Sequence, residues 1–133
     1  MTSKTKIGQY GEDFAAAFFM QKGYRIVHRN FRVGHLEADL ICENETHLLF
    51  VEVKSRTDFG APSKYGRPAA AVDRKKQENL LALVKKYLFL YPTEKKPRID
   101  VAEVYLLRYG GEYTLSAKGI KHIENAIWNP SAS

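Results

Sequence analysis

The sequence predicts an α/β sandwich, a β-sheet flanked by two helices, and three patterns predict it. Apolar residues recur at helical spacing over 7–22 and again over 70–91; runs at 24–32, 36–42 and 47–54 alternate or stay apolar as strands do; and polar or glycine-bearing turns separate them. At 133 residues and 15.2 kDa the chain has the length of one domain, 1–133, with enough apolar residues for a core and with 129–133 expected as a frayed tail.

In the first helix Ile7, Tyr10, Phe14, Ala15, Phe18 and Phe19 form one apolar stripe, and Gly23 supplies the stop. Strand 24–32 turns at Val33-Gly34-His35 into strand 36–42, most simply as a hairpin. After the polar turn Glu43-Asn44-Glu45-Thr46, strand 47–54 carries Leu49, Val51 and Val53 on one face and is expected at the centre of the sheet. Residues 55–68 hold glycines, prolines and charges without periodicity and read as an exposed loop close to the site described below. The second helix, 70–91, sets Leu80, Leu83, Val84, Tyr87 and Leu88 among lysines, with Asp73 as its cap. Residues 98–109 read as a strand and Gly110-Gly111 as a turn into a short strand at 112–115. The segment 120–128 fits either a strand or a short helix.

A formal net charge of +6 and an isoelectric point near 9.4 favour a polyanionic partner, because lysine and arginine release the counterions of phosphates; RNA, DNA and acidic membranes all stay open. The single cysteine, Cys42, sits in a hydrophobic strand pattern and reads as a small buried thiol. No apolar run has the length of a signal peptide core or a membrane span. A soluble protein of the reducing cytoplasm is expected. His28, His35, His47 and His122 lack zinc-ligand spacing, and neither a Ser-His-Asp arrangement nor a phosphate-cradling glycine loop is evident.

Chemistry concentrates in Leu36-Glu37-Ala38-Asp39-Leu40-Ile41 and Leu48-Leu49-Phe50-Val51-Glu52-Val53-Lys54. Strict alternation puts Asp39 on a face with Glu37 and Ile41, and Glu52 and Lys54 on a face with Leu48 and Phe50. Thirteen positions separate Asp39 from Glu52, enough for a turn and an antiparallel neighbour, so the carboxylates are expected to meet, with Lys54 about 7 Å further along the strand. Buried charge is costly unless paired or bound to a metal. All-oxygen ligation suits Mg²⁺ or Mn²⁺, and a lysine beside it can orient a water or stabilise developing charge during phosphodiester hydrolysis. The competing reading makes Glu52 and Lys54 an exposed alternating face and Asp39 their ion-pair partner; the apolar flanks weigh against it.

Gly8-Gln9-Tyr10-Gly11-Glu12, Gly23-Tyr24, Arg29-Asn30-Phe31-Arg32, Glu37-Ala38-Asp39-Leu40-Ile41, Phe50-Val51-Glu52-Val53-Lys54-Ser55-Arg56 and Arg98-Ile99-Asp100-Val101 resemble the YraN-like family of bacterial proteins, over nearly the whole chain. That family belongs to the PD-(D/E)xK, restriction-endonuclease-like nucleases, and the order of helix Glu, strand Asp, then Glu-x-Lys is similar to that of archaeal Holliday-junction resolvases. The chain departs from the pattern at Leu36, where the family usually has glycine, and at Ala38, where it has a larger aliphatic residue.

The resemblance implies a restriction-endonuclease-like three-layer sandwich, its central mixed sheet flanked by helices. It makes Asp39 and Glu52 the ligands of Mg²⁺ or Mn²⁺, Lys54 the water-positioning or charge-stabilising lysine, and Glu12 an auxiliary acid. Gly11 would let that acid's helix approach the sheet closely. The site is expected at the sheet edge. Arg56, Lys64, Arg67, Arg74, Lys75 and Lys76 are candidates for a phosphate track, the last three beside a helix start whose N–H groups favour anions; their bland reading is solubility. Tyr65 is a candidate for stacking on a base. Arg98 and Asp100 are expected to pair with each other. The activity expected is metal-dependent endonucleolytic hydrolysis of DNA, with branched or Holliday-junction-like structures implied by resemblance alone and a homodimer as one way to act on symmetric strands. The alternative is a non-catalytic nucleic-acid-binding or scaffolding module that keeps the nuclease fold.

Overall fold

Thr5 opens the first helix, its hydroxyl accepting the Gly8 N–H at 3.1 Å, and Gly23, at φ 95°, turns the chain out of it in a conformation that side chains disfavour. The computed structural model describes residues 4–58 and 73–127. Within them run α1 (Lys6–Gln21), β1 (Arg25–Val33), β2 (Leu36–Glu43), β3 (His47–Thr57), α2 (Arg74–Leu90), β4 (Lys96–Tyr109) and β5 (Glu112–Ile127). The strands form one sheet in the order β1-β2-β3-β4-β5. Neighbours are antiparallel except β3 and β4, which are parallel and joined through α2. A parallel pair needs such a crossover, so the expected mixed sheet follows, with β3 at its centre.

Each helix covers one face. Ala15, Ala16 and Phe19 of α1 pack on Leu40, Cys42, Leu49, Val51, Ala102, Val104 and Leu106. Leu80, Leu83 and Tyr87 of α2 pack on Ile41, Leu48, Phe50, Ile99 and Val101. Alternation along β2, β3 and β4 thus supplies two separate cores, and the three-layer α/β sandwich is the architecture expected. Cys42 is fully buried, and burial pushes its thiol pKa up to about 12, as befits a packing residue.

Four expectations need correction. The alternation assumed through Asp39 breaks there: Leu36, Ala38 and Ile41 all belong to the α2-side core, whereas Leu40 and Cys42 belong to the α1 side. Asn30, at φ 52°, lies between Arg29 and Phe31, whose partners Leu40 and Ala38 flank Asp39. Asparagine tolerates that left-handed backbone, and the change of face in β2 falls opposite it. The carboxylates lie not at the sheet edge but on β2 and β3, second and third of five strands. β5 is one long strand from Glu112 to Ile127, where a short strand and an undecided segment were expected; irregular pairing between Val104 and Leu106 and Gly119 at φ 67° obscure its period. β3 continues to Thr57, past the expected start of the loop, and α2 begins at Arg74 behind the Asp73 cap. Residues 59–72 lie outside the described residues.

Gly11 sits where α1 meets β3. A Cβ there would stand 1.8 Å from Ser55 Oγ and 2.9 Å from Ser55 Cβ, so the close approach is real. Alanine normally improves a helix by about 1 kcal/mol over glycine. Here Gly11→Ala is expected to lower stability instead, by about 2 kcal/mol, and Ser55→Gly to recover most of it; urea denaturation of the single and double variants reads both.

Candidate active site

Pairing between β2 and β3 runs from Glu43↔Leu48 to Leu40↔Val51 and then stops. Beyond it the Val53 N–H takes the Asp39 side chain in place of a strand partner, donating to Oδ2 at 2.8 Å. The strands part and a carboxylate fills the fork. Asp39 is 6 % exposed and Glu52 2 %, which removes the reading of a solvated alternating face.

Burial disfavours the charge on both acids, but their environments separate them. For Asp39, hydrogen bonds from Glu52, Lys4 and the Val53 N–H outweigh burial and hold its pKa below the usual carboxylate value. For Glu52, burial and its hydrogen bond to Asp39 act together, and its pKa is pushed up to about 8. The two carboxyl groups are thus driven apart, Asp39 toward the charged form and Glu52 toward the protonated one.

Glu12 reaches the same place from α1. It is 2 % exposed, and its Oε1 accepts from Arg29 Nε at 3.1 Å and from Asn30 Nδ2 at 2.8 Å. The Lys4 ammonium stands between the acids, 2.8 Å from Asp39 Oδ1, 3.3 Å from Glu12 Oε2 and 3.9 Å from Glu37 Oε1. Burial opposes its charge, yet Asp39 and Glu12 raise its pKa above the ordinary lysine value. On the other side of the pair, Lys76 Nζ lies 3.1 Å from Glu52 Oε2 and Lys54 Nζ 4.0 Å from the same oxygen. The structure therefore brings Glu12, Asp39, Glu52 and Lys54 together.

The phosphate-track candidates divide. Arg56 Nε pairs at 3.3 Å with the fully buried Glu103, whose other oxygen accepts from the Tyr105 hydroxyl at 3.0 Å. Since Lys54 and Glu103 are register partners, Arg56 is anchored two residues beyond Lys54 along the strand. Lys76 is a counter-ion of Glu52, not a free phosphate contact. Arg74 and Lys75 are exposed in the first turn of α2. That turn is no vacant anion site, because Asp73 Oδ1 already accepts the Lys76 N–H at 2.7 Å. Lys64, Arg67 and Tyr65 lie outside the described residues.

Lys4, Arg29, Asn30 and Glu103 were not legible as site residues. Arg29-Asn30 belongs to a block that carried the family resemblance, which was the available signal. Lys4 and Glu103 gave none, being a lysine in a polar leader and a glutamate inside a strand.

Arg98 and Asp100 pair as expected, through Nε–Oδ1 and Nη2–Oδ2 bonds of 2.9 Å each. His122 Nε2 joins Asp100 Oδ2 at 2.7 Å and the Asn125 N–H joins Oδ1 at 2.9 Å. This cluster contacts the end of α1 through Lys22 Nζ, 3.0 Å from His122 Nδ1, and is separate from the acidic fork.

Residues 11–104 match uncharacterised protein family UPF0102. The chain belongs to that family. It is 34 % identical over 126 residues to a UPF0102 protein of Caldanaerobacter subterraneus subsp. tengcongensis, covering 94 % of this chain and 97 % of the relative. A UPF0102 protein of Clostridioides difficile is 35 % identical over 128 residues, covering 96 % and 100 %. One from Acetivibrio thermocellus is 37 % identical over 127, covering 94 % and 93 %. The matched block spans Glu12, Asp39, Glu52 and Lys54. Among solved structures the chain is similar to Pyrococcus furiosus SfsA in complex with Ca²⁺, at TM-score 0.34 and 18 % identity over 86 % of this chain and 62 % of that one. A likeness that low carries no argument about this UPF0102 chain. No helix among its described residues is long and apolar enough to cross a membrane.

Proposed function

We propose that this UPF0102 protein is a Mg²⁺- or Mn²⁺-dependent endonuclease that hydrolyses DNA phosphodiester bonds. The observation that carries the reading is the fork itself: carboxylates from α1, β2 and β3 are buried side by side, where they oppose folding unless a cation or a reaction needs them.

The donor set fits such an ion. It is all oxygen, and Glu12 Oε2 is buried without a hydrogen-bond partner. Among the described residues no three acidic or imidazole side chains stand close enough to hold a metal as they are, but Mg²⁺ keeps several waters and needs only one or two carboxylates. Asp39 and Glu52 supply that pair. A bound ion would supply polarisation of a phosphoryl oxygen and a lowered water pKa. Lys54, beside Glu52, would orient an attacking water or neutralise charge on the phosphate. Lys76 holds Glu52 in place, and Arg56, fixed by Glu103, offers a guanidinium to the next phosphate along β3. The net charge of +6 supports a nucleic acid as the partner. The preference for branched DNA rests on the likeness of motif order to junction resolvases.

Labelled single-stranded, duplex, flap and four-way-junction DNA should be cut by the wild type with Mn²⁺ or Mg²⁺ and not by Asp39→Ala. A wild type that binds these DNAs and cuts none with either ion would overturn the proposal in favour of a non-catalytic nucleic-acid-binding module.

A further inference from the structure

Lys4 is in an unusual position for a lysine outside every helix and strand. Its ammonium lies within 4.0 Å of three carboxylates, Asp39, Glu12 and Glu37, and two of these are almost fully buried. Glu12 Oε2 makes no hydrogen bond; what it faces is the Lys4 charge at 3.3 Å. Lysine is a compact point charge on a flexible stem, and here it stands in for a cation among oxygen ligands.

We propose that Lys4 is the resident cation of the acidic fork and that a divalent ion binds by displacing it, freeing Lys4. The inference rests on the metal-dependent reading of Asp39 and Glu52. An ammonium and a divalent ion cannot both sit against Asp39, since like charges a few ångström apart in a buried site repel strongly. Lys54 and Lys76 stand against Glu52, not Asp39, so neither occupies the position that the ion would take beside Asp39. Lys4 does, and it can yield. It precedes the Thr5 cap, whose bonds to Gly8 and Gln9 hold α1 without it. Besides its ammonium contacts, Lys4 is tied by the Gln9 Nε2–H donated to its carbonyl at 3.2 Å. Withdrawal of this side chain exposes Asp39 Oδ1 and Glu12 Oε2 together, and returning it neutralises the fork when no divalent ion is present.

Two measurements test the exchange without nucleic acid. In calorimetric Mn²⁺ titrations at fixed ionic strength, Lys4→Met is expected to bind about tenfold more tightly than the wild type, the loss of one charged competitor, whereas Lys4→Arg should stay close to the wild type. In the wild type, saturating Mn²⁺ should speed tryptic cleavage after Lys4. Equal or weaker binding by Lys4→Met, or a Lys4–Thr5 bond that Mn²⁺ leaves unchanged or protects, overturns the exchange. If Mn²⁺ binds and Asp39→Asn abolishes the binding while Lys4→Met has no effect, the exchange falls and the metal-dependent reading stands. If no variant and no wild type binds Mn²⁺, both fall.

Discussion

Glu52→Gln is expected to reduce cation-dependent cleavage by about a thousandfold or more while leaving the protein as stable as the wild type, or about 1 kcal/mol more stable. Glutamine has the size of glutamate and can donate to Asp39, so it keeps the bond between the two side chains. What it lacks is the negative charge that burial and Asp39 jointly disfavour at this position. Lys76 loses its partner, but its side chain is 41 % exposed and can turn to water. An arrangement that weakens the fold and serves chemistry should show this opposition of stability and activity. Urea denaturation and cleavage rates on the same preparations read both. A variant that loses about 3 kcal/mol or more, the cost of breaking a buried pair, would make Glu52–Lys76 a structural ion pair instead.

Asp100→Asn should do the opposite, costing about 3 kcal/mol of stability. The Asp100 carboxylate is fully buried and takes four bonds, two from Arg98, one from His122 and one from the Asn125 N–H. An amide would turn a donor toward groups that donate. Burial raises the Asp100 pKa, but the bonds from His122, Arg98 and Asn125 prevail and leave it below the ordinary aspartate value. A depressed acid contributes stability that is fully present above its unfolded pKa, near 4, and is lost as pH falls through the lower folded value. The gap between wild type and Asp100→Asn should therefore be full at pH 7 and 5 and shrink below about pH 4. Denaturation midpoints across that range check it, and a gap that does not shrink would place the effect in packing.

The helices were legible because their apolar stripes have a period that one core imposes. The same held for β2 and β3, whose apolar runs are covered on both faces, by α1 through Leu40 and Leu49 and by α2 through Ile41 and Phe50. β5 was not, because an edge strand half open to water is under weaker compositional constraint, and its irregular pairing shifts the period midway. Asp39, Glu52 and Lys54 stood out for a related reason: charge inside an apolar run conflicts with burial and so carries information. Glu12 needed the family resemblance, since a glutamate on an amphipathic helix looks solvated whether or not it is.

The sequence by itself determined the two helices, the central strand, the family and the acidic residues worth testing, all properties of neighbours along the chain. Only the tertiary structure decided that alternation breaks at Asp39, that Lys4 and Lys76 hold opposite sides of the carboxylate pair, and that Asp100 gathers His122 from 22 positions away. Those are contacts between distant segments. Electrostatic energy depends on separation in space and on exclusion of water, and neither is written in the order of the residues until the sheet has formed.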